Sequence, residues 1–74
     1  MTTKDKKIIE DAEAQGIPIF VLTAKDKVSL DAIIAYRDAC AEICSNEHYR
    51  GIEARIDEFA EWQKLNNDKV KIPD

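Results

Sequence analysis

Ile17-Pro18-Ile19-Phe20-Val21-Leu22-Thr23 is the stretch on which the fold turns, because it is the one segment that does not read as helix or polar connection. Pro18 lacks an amide hydrogen and has a fixed φ, so it opposes helix, and its ring biases Ile17 to extended geometry. Phe20 and Val21 favour strand, and the run is continuously apolar rather than alternating. One extended segment cannot make a sheet. It either pairs with the same segment of another copy or lies as an apolar strap across helices, since an exposed edge of this composition would aggregate.

Upstream, residues 1–16 read as a helix of weak amphipathicity. Thr3 is placed to cap it, Ile8, Ile9 and Ala12 form a narrow apolar stripe, and Gly16 stands where a C-terminal stop is expected. Downstream, Thr23 and Asp26 have capping-box spacing with Asp in place of Glu or Gln, and Ser29 is the stronger N-cap, with Asp31 complementing the dipole. A second helix then spans 29–45. Leu30, Ile33, Ile34, Arg37, Ala41 and Cys44 mark one side, with Tyr36, Cys40 and Ile43 beside them, a face broad enough for burial against more than one neighbour. Ser45 or Asn46 caps a third helix over 47–66, along which Tyr49, Ile52, Ile56, Phe59, Trp62 and Leu65 recur at three- and four-residue spacing. Residues 67–74 form a short polar tail. The expected architecture is one mostly all-α domain over 1–74: a helical hairpin with a weaker N-terminal helix and one short extended apolar segment.

A chain of 74 residues is near the lower limit for burying a sufficient core alone, and such domains often gain stability by oligomerising. The broad second-helix face and the unpaired apolar segment make a homo-oligomer the expected state. Fifteen carboxylates against eleven basic residues give a net charge of −4, which argues against non-specific nucleic-acid binding. The longest apolar run is six residues, far short of the ~20 that span a bilayer. No export signal is visible behind the charged Met1 to Lys7, and two cysteines read as reduced thiols, so the expected compartment is the cytoplasm.

Catalytic constellations are weak. One histidine, two serines and two glycines support neither a nucleophile–base triad nor a phosphate loop, and the expectation is a protein that is not an enzyme and takes no cofactor. Cys40, Cys44 and His48 fall at i, i+4 and i+8, but the helix is expected to end between Cys44 and His48. Structural zinc wants four ligands, so small core thiols and a surface histidine are the preferred reading, with no metal. The more informative cluster is Lys25 and Lys27 ahead of a helix N-terminus, with Tyr36 and Arg37. Free N–H groups at a helix start favour an anion, lysines strengthen that preference, and Tyr and Arg add stacking and bidentate phosphate contacts. Against this stand capping residues, surface ion pairs and rim aromatics, which look the same in sequence.

Pro18-Ile19-Phe20-Val21-Leu22-Thr23-Ala24-Lys25-Asp26 followed by a helix, with Glu61-Trp62-Gln63 and the closing Lys71-Ile72-Pro73-Asp74, resembles short uncharacterised proteins of bacteriophages and prophages. The resemblance covers about residues 17 to 74 and leaves out the first helix. It implies a small non-catalytic binding protein acting in the host cytoplasm. One form is a sponge that sequesters a cyclic nucleotide of bacterial immune signalling between subunits; the candidate residues for that role, Lys25, Lys27, Tyr36 and Arg37, come from their own side-chain chemistry and not from the resemblance. The other is a structural module or host-protein inhibitor that docks a protein partner through its aromatic helical face. The paired cysteines and the Tyr–Arg content are not part of the pattern, and nothing carries over to them.

Overall fold

The computed structural model describes residues 3–73, and the helix start expected at residue 1 lies partly outside that span. In chain order come α1 (Thr3–Ala14), α2 (Ser29–Cys40), α3 (Asn46–Leu65) and one 3-10 turn (Asn67–Lys69). The mostly helical reading holds, and among the described residues no helix is long and apolar enough to cross a membrane.

α1 ends as its glycine predicts. Gly16 takes φ 68°, its N–H donates to the Glu13 carbonyl, and the Ile17 N–H reaches back to Ala12 at 2.9 Å. That pair of bonds is a Schellman stop, which turns the chain out of the helix and into Pro18.

Residues 17–23 belong to no helix and, among the described residues, form no strand. Nor do they lie buried under the helices. Phe20 is 85% exposed, and Ile17, Ile19 and Val21 are exposed as well, while Leu22 alone turns partly inward.

The loop that follows is set by Asp26 rather than by a serine cap. The Val28 N–H donates to Asp26 Oδ1 at 2.9 Å, and Val28, not Ser29, holds the N-cap position without a side-chain cap bond. Ser29, the first helical residue, is fully buried, and its hydroxyl donates to the Asp26 carbonyl at 2.7 Å. Thr23 and Asp26 make a backbone turn through Asp26 N–H to the Thr23 carbonyl, where a capping box was expected. This loop pairs with the end of the chain. Lys27 N–H donates to the Lys71 carbonyl at 2.7 Å and Lys71 N–H to the Lys25 carbonyl at 2.9 Å, a one-residue parallel bridge. Residues 67–73 are thus docked and partly helical, not a free polar tail.

α2 stops at Cys40, five residues before the expected end at 45. Ser45 adopts the extended conformation of a cap (φ −66°, ψ 156°) and accepts from the His48 N–H at 3.2 Å. The chain ahead of it tightens through Ala41 N–H to Asp38 and Ile43 N–H to Cys40, so the last turn expected of α2 becomes the hairpin turn.

α2 and α3 pack on each other, and α3 packs on the 3-10 turn. α1 stands off across a cleft of about 350 Å³ into which Ile9, Ile33, Ile52 and Phe59 face. It is tied to α3 by the Arg55–Asp5 ion pair at 3.1 Å. Among the described residues, only Ala12, Cys40 and Ile52 are buried apolar side chains. The broad α2 face is therefore half-covered, with Leu30, Ile33 and Ile34 intermediate and Ile43 exposed. Two magnitudes agree on an open packing. The radius of gyration is 13.6 Å against about 11 Å for a compact chain of this length. The accessible surface is 6188 Å² against roughly 4,600 Å² for a folded monomer of this mass.

Candidate functional site

The bridge between the 23–28 loop and the chain end builds a cleft of about 380 Å³ lined by Lys25, Trp62, Asp68, Lys69 and Lys71. Each side chain has a local reason for being there. Trp62 lies near the C-terminal end of α3. Asn66 closes that helix by donating from its backbone N–H and from Nδ2 to the Trp62 carbonyl, at 2.9 and 3.0 Å. The 3-10 turn then carries Asp68 and Lys69 past the indole, and the bridge holds Lys71 beside Lys25. Gln63, one residue on from Trp62, donates from Nε2 to the Ala24 carbonyl at 3.0 Å and to the Asp26 carbonyl at 3.3 Å. α3 thereby holds the loop in register. The outcome is three lysines and a half-open tryptophan lining one cleft on a chain whose net charge is −4.

Of the four residues singled out in the sequence, only Lys25 belongs to this cleft. Lys27 is exposed and enters the bridge through its backbone. Tyr36 and Arg37 sit two turns along α2, about 10 Å of helix rise from its start. Arg37 is taken up by Asp38, whose Oδ1 accepts from Nε and Nη2 at 3.2 Å each. The basic pair and the Tyr–Arg pair therefore do not converge within one chain. Trp62, Lys69 and Lys71, which line the cleft with Lys25, were not among those four. Their signal was faint: two lysines two positions apart after a helix end, with no hint of which segment they face.

The second constellation lies at the other end of α2. The ligand-type atoms of Cys40, Cys44 and His48 all stand within 4.8 Å of one another, with Cys40 buried, Cys44 half-buried and His48 exposed. The helix break expected to separate them is what joins them. In one straight helix, His48 would lie about 12 Å along the axis from Cys40. The Ala41–Ser45 turn instead folds the start of α3 back onto the end of α2.

Tyr36 completes the group. Its hydroxyl is 3.2 Å from His48 Nε2, and the two rings meet edge to face at 6.1 Å. A hydrogen bond with Cys40 holds the Tyr36 phenol above its ordinary pKa, with the charge of a Cys40 thiolate acting in the same direction. A hydrogen bond with the Cys40 thiol likewise raises Cys44, with partial desolvation adding to it. Both cysteines are free thiols. Two soft sulfurs and an imidazole are a donor set for a thiophilic metal, and without one they form a hydrogen-bonded cluster.

No protein-family model, no curated protein and no solved structure matches the chain.

Proposed function

We propose that this chain is a small non-catalytic binding protein that takes an anionic, ring-bearing ligand, a nucleotide by its chemistry, in the cleft between the 23–28 loop and the chain end. The observation that carries the reading is that Lys25, Lys69 and Lys71 line one cleft with Trp62. Ammonium groups act as point charges on phosphate oxygens, and the indole offers a stacking face that contributes about 1–3 kcal/mol per base. Asp68 supplies an acceptor for a ribose hydroxyl or a partner for a lysine. The resemblance of residues 17–74 to phage proteins extends the reading to an anti-defence sponge for cyclic nucleotides in the host cytoplasm, working without catalysis.

Calorimetry against cyclic mono- and dinucleotides, read alongside Trp62 fluorescence, tests this. Binding with quenching, lost in Lys25→Glu and Lys71→Glu, is expected. Silence across the panel removes the reading.

The apolar segment supports a second role, docking of another copy or of a host protein. Phe20 is 85% exposed at its centre. The surface in excess of a compact monomer, roughly 1,600 Å² on one chain, exceeds the ~800 Å² that each partner gives to a standard interface. A homo-oligomer closing residues 17–22 against a second copy would cover part of it. Light scattering decides: a well-folded monomer at high concentration retires self-association.

A further inference from the structure

We propose that Cys40, Cys44 and His48 bind a thiophilic divalent metal ion, zinc(II) by its ligand chemistry, as a staple across the hairpin turn, with Tyr36 orienting the histidine. The site is independent of the lysine–tryptophan cleft.

The donor set comes first. Two sulfurs and one imidazole nitrogen select zinc or its soft neighbours over calcium and magnesium, which take oxygen. With both thiols ionised and the imidazole neutral, the ion is matched charge for charge. The two displaced thiol protons leave to solvent.

Geometry comes next. The three donors lie within 4.8 Å of one another. Tetrahedral zinc, with bonds of ~2.3 Å to sulfur and ~2.0 Å to nitrogen, sets donor atoms about 3.5–3.8 Å apart. The longest separation has to shorten by about 1 Å, within reach of side-chain rotation. Water takes the fourth position, on the exposed His48 side, through which the ion can enter a folded chain. With the Tyr36 hydroxyl 3.2 Å from Nε2, Nδ1 is the nitrogen left to bind the ion, and Tyr36 accepts from the Nε2–H as the outer partner that fixes the imidazole plane, as metal-ligating histidines usually require.

The reason for a staple lies in the packing. Among the described residues the buried apolar side chains are Ala12, Cys40 and Ile52, and small domains with thin cores commonly add a metal or a disulfide. This site joins the last residue of α2 to the first turn of α3. Its binding free energy adds directly to the stability of the hairpin.

Titration of the reduced, metal-free full chain with cobalt(II), then zinc(II), is the test. The expected result is an intense sulfur-to-cobalt charge-transfer band saturating at one ion per chain and bleached by zinc. Both thiols should become protected from alkylation, and the thermal midpoint should rise. Cys44→Ser and His48→Ala, at positions that are not buried, should lose the band while keeping their helical signal. Tyr36→Phe should keep the band and bind zinc about tenfold more weakly. Should Cys40→Ser fail to fold, thiol protection in the unmodified chain still reads the site. No charge-transfer band at stoichiometric cobalt, or thiols equally reactive with and without zinc, overturns the proposal. So does a band unchanged in His48→Ala.

Discussion

Gln63 donates from Nε2 to the Ala24 carbonyl at 3.0 Å, across 39 residues of sequence, and the same nitrogen reaches the Asp26 carbonyl at 3.3 Å. This one amide couples α3 to the loop that starts α2, and through the Lys25–Lys71 pairing it holds both sides of the lysine cleft. Gln63→Ala should lower the unfolding free energy by about 1–2 kcal/mol in urea melts. Gln63→Glu should cost more, because a carboxylate would face two carbonyl oxygens with no proton to share. Equal loss in the two variants would mean that the side chain acts by packing instead.

Ser29 is the one fully buried polar side chain described, and its hydroxyl donates to an Asp26 carbonyl that also accepts the Ser29 N–H at 3.1 Å. Since the carbonyl keeps two partners, the Ser29 N–H and Gln63 Nε2, Ser29→Ala should cost about 1 kcal/mol and no more. Ser29→Val, which adds volume where no surface is exposed, should cost about 1–3 kcal/mol. Thermal unfolding followed by circular dichroism ranks the two.

Ile52 is 7% exposed at the centre of α3, whereas Leu65 on the last turn of the same helix is 74% exposed. Ile52→Ala should therefore cost about 2–4 kcal/mol, enough to unfold much of so thinly cored a chain. Leu65→Ala should stay within about 0.5 kcal/mol in the same denaturation assay.

The Tyr36 phenol, raised by its hydrogen bond with Cys40, should titrate at higher pH in the folded, metal-free chain than in urea, as read by ultraviolet difference absorbance. The sign follows from the protonated form being favoured on folding. Its contribution to stability is complete below the unfolded-state pKa and is lost as pH rises through the folded one. Cys44→Ala should leave most of that shift in place, and removing the Cys40 thiol should take away most of it, leaving the smaller part due to burial and Cys44.

Much of the backbone was legible because its causes are local. Gly16, Pro18 and the Ser45 cap act on their own dihedrals and on N–H groups within four residues, so a stop, a non-helical segment and a helix start could be read directly. Where the reading slipped, a neighbour decided. Ser29 was expected to cap α2, but the Asp26 carboxylate took the turn and turned that hydroxyl inward. α2 was expected to reach 45, but the cap geometry of Ser45 made the chain tighten after Cys40.

The candidate sites were less legible, for the opposite reason. Lys25 was singled out, yet its companions Trp62, Lys69 and Lys71 come from the far end of the chain. No spacing rule brings together residues whose contact depends on a docked bridge. Cys40, Cys44 and His48 were noticed as a spacing and set aside on the ground that the helix breaks between them, whereas the angle of that break is what makes them meet. Composition and local chemistry by themselves determined a small, acidic, mostly helical chain with one apolar segment outside the helices. Which side chains face one another was decided by the tertiary structure alone, through the turn between α2 and α3 and the register of the Asp26–Lys71 bridge. Such angles and registers arise from packing between distant segments, which local sequence signals do not encode.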